Sequence, residues 1–219
     1  MSLPKVLVVA SQKGGVGKTC LSAHLAVAAE EAGAGPACLI DADPQGSLHD
    51  WWNRREAKTP LFAKGGVSDL AATLARVGEN GVKLVIIDTP PASSDSLRAI
   101  LHFADFVLIP AQDGLSDLTA IKQTVAMVRE IEKPYAMALT FVNKRTTQYA
   151  DAIKALSRAG AIAAVISYRV IFKRAEIDGR TVQEVERGGA AAGEIAELWK
   201  FVCQEMGLIA KAKEEKALV

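Results

Sequence analysis

Val6-Leu7-Val8-Val9-Ala10 runs through Ser11 into Gln12-Lys13-Gly14-Gly15-Val16-Gly17-Lys18-Thr19, and the fold can be read outward from this stretch. The apolar run has the length and β-branched content of a buried strand. A helical pattern follows, with Leu21, Leu25, Ala28 and Ala29 on one side. Strand, glycine-rich turn and helix start, in that order, make a phosphate cradle. The glycines allow backbone N–H groups to close around phosphate oxygens, and the helix N-terminus adds partial positive charge. Lys18 supplies a point charge for the outer phosphates, and the Thr19 hydroxyl is a candidate Mg²⁺ ligand. The strict pattern G-x-x-x-x-G-K-[S/T] asks for glycine where this chain has Gln12, and a second lysine, Lys13, stands at the front of the loop.

Short apolar runs alternate with helical patterns along the rest of the chain. Strands are expected at Pro36 to Ile40, Leu84 to Asp88, Phe106 to Ile109, Ala138 to Val142 and Ala163 to Ile166. Helices are expected around Leu48 to Glu56, on the Leu70, Leu74 and Val77 face, from Leu118 to Ile131, and over Ile195, Leu198, Trp199 and Val202, with a loop at Gly65-Gly66. Continuous apolar strands suit a sheet covered on both faces. Alternation with helices predicts an α/β fold, a mostly parallel twisted sheet with helices on both faces, in one domain spanning 1–219. Ligands of such sheets bind beyond the carboxyl ends of the strands. The cradle, Asp41 and Asp43, and Asp88 all lie at such ends, so three motifs converge on one edge.

Asp88 closes an apolar strand and precedes Thr89-Pro90-Pro91, the place where a carboxylate fixes the surroundings of a phosphate-bound Mg²⁺. Asp43 could act on an attacking water or cap the helix before Leu48. Trp51-Trp52 cannot both point inward from one helix, which leaves one of them to meet a partner copy or an activator.

The 219 residues are half hydrophobic, with a formal net charge of +1, so overall charge indicates no particular partner. Locally the balance differs. Residues 141–175 hold Lys144, Arg145, Lys154, Arg158, Arg169, Lys173 and Arg174 against Asp151 alone, a local charge of +6. The cysteines, Cys20, Cys38 and Cys203, form no C-x-x-C pair and suggest neither a disulfide framework nor a metal site. No run reaches the ~20 apolar residues of a membrane span. The N-terminus offers no cleavable signal, and a cytoplasmic protein is expected. Lysines and glutamates interleave in the tail, Lys211 to Lys216, which reads as a solvated helix end.

Lys13 to Thr19 resembles the deviant Walker A motif, K-G-G-x-G-K-T, of the ParA/MinD family of P-loop ATPases. Asp41-Ala42-Asp43-Pro44-Gln45-Gly46 is similar to the family's D-x-D-P-Q-G switch, and Asp88-Thr89-Pro90-Pro91 to its D-T-P-P. Arg169, Ala175, Gly179 and Val182 match an R…A…G…V spacing of ParA-type partition proteins, with the chain most like small members that lack a helix-turn-helix domain. The resemblance implies a P-loop NTPase fold and an ATPase using ATP and Mg²⁺, switched between monomer and ATP-sandwich homodimer. Lys13 would reach the phosphates of the other subunit, with Lys18 and Asp43 also catalytic. Gly14, Gly15, Val16, Gly17, Thr19 and Cys20 would complete the nucleotide site, with Asn143 near adenine. Thr19, Asp88 and Asp41 would serve the metal. Arg169, Lys173 and Arg174 would contact non-specific DNA, placing the protein on the nucleoid. A cargo-bound activator, ParB-like or centromere-binding, would stimulate hydrolysis. DNA partition, positioning of a microcompartment or chemotaxis cluster, and MinD-like membrane association all remain open. Two departures stand out: Cys20 replaces a usual threonine, and Asn143-Lys144-Arg145 differs from several relatives.

Overall fold

A computed structural model describes residues 3–91 and 95–208, with the backbone alone for 115–118. The tail at Lys211 to Lys216 lies outside the described residues. Seven strands form one sheet: β1 Lys5–Val9, β2 Ala37–Asp41, β3 Leu61–Ala63, β4 Leu84–Asp88, β5 Phe106–Ala111, β6 Tyr135–Val142 and β7 Ile162–Ser167. Their order is β3-β2-β4-β1-β5-β6-β7, and every pairing is parallel. The helices are α1 Lys18–Glu31, α2 Ser47–Asn53, α3 Leu70–Glu79, α4 Asp95–His102, α5 Leu115–Glu130, α6 Thr147–Ser157, α7 Ile171–Ile177, α8 Val182–Val185 and α9 Ala190–Met206.

Alternation along each strand divides the core into two layers. Leu7 and Val9 of β1, with Leu39 and Ile86, face α1, α2, α7, α8 and α9. Val6 and Val8, with Ile40 and Ile87, face α3, α4, α5 and α6. Because both faces are covered, all five residues of β4, Leu-Val-Ile-Ile-Asp, are buried, which is why that strand reads as one continuous apolar run.

The expected strands and sheet are present. Five further features among the described residues were not anticipated: the short edge strand β3 and the helices α4, α6, α7 and α8. The two tryptophans divide as helix geometry requires. Trp51 is buried, and its Nε1 donates to Arg180 O at 3.2 Å. Trp52, half-buried, donates to Pro60 O at 2.9 Å and lies against Phe62 of β3 with ring centroids 5.3 Å apart. Both are satisfied within the chain.

The topology places the chemistry. β4 lies between β2 and β1, with Asp88 opposite both Asp41 and Val9 in register. The carboxyl ends of these three strands therefore bring the glycine loop, Asp41 and Asp88 side by side.

Candidate nucleotide site

The loop between β1 and α1 ends at Gly17, whose φ of 90° turns the chain into the helix. A Cβ there would come within 2.8 Å of the Phe141 ring, so glycine answers both the backbone conformation and the space. The loop is braced from beneath. The buried Thr140 hydroxyl lies 2.7 Å from Val16 O and 3.0 Å from Ala111 O. Thr89 Oγ1 donates to Val9 O at 2.9 Å, and Gln112 Nε2 reaches Gly15 O at 3.4 Å.

Lys18 is buried and donates to Lys13 O at 3.1 Å, which curls the loop around its ammonium. Burial lowers the Lys18 pKa, while Asp88 and Asp43 act in the opposite sense. Thr19 Oγ1 donates to Asp88 Oδ2 at 2.5 Å. The other Asp88 oxygen is buried without a hydrogen-bond partner, and burial above all pushes this carboxyl up to about 7. An orphaned, desolvated carboxylate oxygen beside a hydroxyl is the donor set that a hard cation satisfies, so Thr19 and Asp88 fit Mg²⁺. Among the described residues no group of three or more His, Cys, Asp or Glu side chains could hold a metal alone. That suits an ion whose remaining ligands are phosphate and water.

The two switch aspartates differ. Asp41 Oδ1 accepts from the Asp43 N–H at 3.0 Å, and Oδ2 accepts from Leu48 and His49 N–H at 3.0 and 2.9 Å. The carboxylate that caps the start of α2 is therefore that of Asp41, reaching in from the strand end. Burial raises the Asp41 pKa against these hydrogen bonds. Asp43 Oδ1 accepts from Gln45 N–H at 3.0 Å, and its side chain lines the cleft together with Lys18.

That cleft holds about 570 Å³, enough for a nucleotide. Gly14, Gly15, Gly17, Lys18, Thr19, Cys20 and Asp43 line it together with Phe141, Tyr168, Arg169, Phe172 and Lys173. Phe141 is a non-glycine residue at φ 55°, in the left-handed region, and its ring meets Phe172 edge-on at 5.4 Å. His24 backs this wall 5.4 Å from Phe172. Its Nε2 accepts from Val182 N–H at 3.1 Å and its Nδ1 lies 2.7 Å from Cys20 O, which fixes the proton on Nδ1. Burial drops its pKa to about 4, so the ring is neutral at ordinary pH. Burial likewise pushes the Cys20 thiol far up, making it a neutral wall rather than a nucleophile.

Several expected site residues lie elsewhere. Asn143 is exposed, is not part of the cleft lining, and accepts from Arg145 N–H through its own Oδ1 at 3.1 Å. Val16 is buried beneath the loop, and Lys13 is half-buried, outside the lining of its own cleft. Arg169 pairs with Glu194 at 2.5 Å, while Lys173 and Arg174 are exposed on α7. The aromatic wall was not read from the sequence; Phe141 and Phe172 belong to no motif, and only their meeting in space marks them.

Residues 7–182 match the family described as the CobQ/CobB/MinD/ParA nucleotide binding domain (CbiA). The chain is 33% identical over 214 residues to the maintenance of carboxysome distribution protein A of Gloeobacter kilaueensis, covering 94% of this chain and 95% of that one. It is 31% identical over 142 residues to protein ParA of Rhizobium radiobacter, covering 62% and 63%. Among solved structures, a Cyanothece McdA variant in complex with ATP superposes with a TM-score of 0.78 at 18% identity, over 97% of this chain and 100% of that one. Pyrococcus horikoshii MinD with Mg-ADP gives 0.74 at 16% identity, over 95% and 100%. A match over most of the chain, carried by a loop built as a phosphate cradle, settles its membership: it belongs to the CobQ/CobB/MinD/ParA nucleotide-binding family and is a P-loop ATPase of the ParA/MinD type.

Proposed function

We propose that this ATPase positions a cargo in the cell, alternating between a monomer and an ATP-bound dimer that holds non-specific DNA. The observation that carries this reading is the front lysine. Lys13 lies outside the lining of its own cleft while Lys18 is buried in it, so two ammonium groups of one loop serve different places. In a face-to-face dimer Lys13 would reach the phosphates bound by the partner copy, where charge develops during transfer of the terminal phosphoryl group. Lys18 and the loop N–H groups bind phosphate in cis. Asp43, at the cleft wall, orients and deprotonates the attacking water. Bound Mg²⁺, held by Thr19 and Asp88, would offset phosphate charge. The base would lie against Phe141 and Phe172 rather than Asn143, since aromatic faces favour a purine.

For the cargo we favour a protein-bounded compartment over a plasmid. Likeness to a carboxysome distribution protein extends over 94% of the chain, whereas likeness to the ParA protein covers 62%. An adaptor on the cargo would stimulate hydrolysis and release the dimer from DNA.

Molecular mass in solution with and without ATP–Mg²⁺ tests the switch. The wild type should double its mass with ATP. Lys13→Ala should bind ATP within about tenfold of wild type, because Lys18 and the loop remain, yet stay monomeric and lose stimulated hydrolysis. A Lys13→Ala protein that dimerises normally with ATP would rule out the sandwich.

A further inference from the structure

Glu194, in the first turns of α9, is the acceptor for five donors. Its Oε2 accepts from Arg169 Nη1 at 2.5 Å and from Ser167 N–H at 2.8 Å. Its Oε1 accepts from Ser167 Oγ at 2.8 Å, Lys144 Nζ at 3.0 Å and Arg169 Nη2 at 3.2 Å. The side chain is only 12% exposed. Burial alone would raise its pKa, but these bonds, led by that from Arg169, hold the carboxyl down at about 2, so it stays ionised at any working pH. One carboxylate thus ties the end of β7, the turn after β6 and the approach to α7 to a single point.

The consequence falls on Arg169. A guanidinium is planar, carries five N–H donors and keeps its charge. Two of its nitrogens are committed to Glu194 in a two-pronged pair, which fixes the plane of the group. The same side chain lines the cleft with Tyr168 and Phe172, and it follows β7, three strands from β1 in the sheet, on the side away from the phosphate loop. Its remaining donors and its flat face are therefore held at the cleft wall.

We propose that Arg169 is a contact for the nucleoside half of ATP and that Glu194 is the positioning residue that aims it, an inference resting on the ATP reading of the cleft. A lone flexible arginine at a cleft mouth would lose rotamer freedom on binding; one already held by a buried acid gives up less. Glu194 should accordingly matter for the nucleoside and not for the phosphates.

The test compares two probes, ATP–Mg²⁺ and inorganic tripolyphosphate with Mg²⁺, by calorimetry on the full chain. The wild type should bind ATP more tightly than tripolyphosphate. Glu194→Ala should weaken ATP about tenfold and leave tripolyphosphate unchanged, since a hydrogen bond to a charged group is of that order. Arg169→Ala should do the same, and the double variant should be no weaker than Arg169→Ala alone, because Glu194 acts through Arg169. Equal weakening of both probes would mark Glu194 as a general brace and overturn the proposal. Unchanged ATP binding, or additive losses in the double variant, would overturn it too. Should Glu194→Ala fail to fold, Glu194→Gln retains one carbonyl acceptor, and the ratio of the two affinities is read on it and on Arg169→Ala. A wild type that does not prefer ATP over tripolyphosphate would sink the ATP reading itself; a wild type that does, with variants that match it, sinks the roles of Arg169 and Glu194 and leaves the ATP reading standing.

Discussion

At the scale of the residue, Asp88 shows how a site can be built against the stability of the protein that carries it. Burial raises its pKa from 3.8 to about 7; the Thr19 hydrogen bond and Lys18 oppose that rise, while Asp41 and Asp43 add to it. The folded state therefore binds this proton more tightly than the unfolded chain does. Below about pH 4 both states hold the proton, and Asp88 imposes no penalty. From about pH 4 up to about 7 the unfolded chain gives up this proton while the folded state keeps it, so stability falls across that window and levels off once the folded carboxyl is also ionised. In chelator, Asp88→Asn should match the wild type near pH 4 and exceed it at pH 8. The gain should be a few kcal/mol at most, since each tenfold change in proton affinity is worth roughly 1.4 kcal/mol. The same variant should bind ATP less tightly when Mg²⁺ is restored. Thermal melts across pH check the first part. Parallel pH profiles for the two proteins would mean that Asp88 is not the strained group.

At the scale of the element, α2 and the α7–α8 pair are clasped together, joining the switch loop to the exposed cations of α7. Arg55 Nη1 and Nη2 reach the Glu184 carboxylate at 2.9 and 2.6 Å, and Nη1 also donates to Gly179 O at 2.9 Å. Gly179 sits at φ 62°, and a Cβ there would stand 2.5 Å from Arg55 N. This gives the glycine of the R…A…G…V spacing a physical reason: another backbone passes where a side chain would be. Left-handed strain of about 1–2 kcal/mol and a backbone clash of about 1–3 kcal/mol predict that Gly179→Ala loses about 2–5 kcal/mol, read as a lowered urea midpoint. A loss below about 1 kcal/mol would show that the clasp gives way easily. Elements like these mark the limit of the sequence reading. The buried strands were legible because Leu84 to Ile87 has to be apolar on both faces, and the phosphate loop because its chemistry is contiguous. Strand β3 was not, because Leu61 is 41% exposed at the sheet edge and three residues carry no period. Helix α6 escaped notice because its buried face is sparse, with only Ala152 and Leu156 buried among its eleven residues. The aromatic wall of the cleft was illegible because Phe141 and Phe172 meet only across the fold.

At the scale of the whole molecule, the near-neutral total hides an uneven surface, and folding redistributes it further. Glu194 lies outside the basic segment of residues 141–175 yet pairs with two of its seven cations, Lys144 and Arg169. Arg145, Lys154, Arg158, Lys173 and Arg174 are exposed. Lys154 belongs to α6 and Arg158 directly follows it, while Lys173 and Arg174 lie on α7, so the charge borders the edge of the sheet that ends in β7. A monomer offers few phosphate contacts; a dimer doubles them, and because each neutralised phosphate releases counterion, affinity then depends steeply on salt. We therefore expect retention on random duplex DNA with ATP but not with ADP or without nucleotide, falling sharply between about 50 and 200 mM salt. Lys173→Glu/Arg174→Glu, at saturating ATP because Lys173 also lines the cleft, should still dimerise and lose DNA at every salt concentration. Arg169→Ala, at saturating ATP, should keep it, since that guanidinium is held by Glu194 and faces the cleft. Retention that ignores nucleotide state, or none even at low salt, would leave a switch that acts on proteins alone. Loss of DNA in Arg169→Ala at full ATP occupancy would instead return that arginine to the DNA-facing surface.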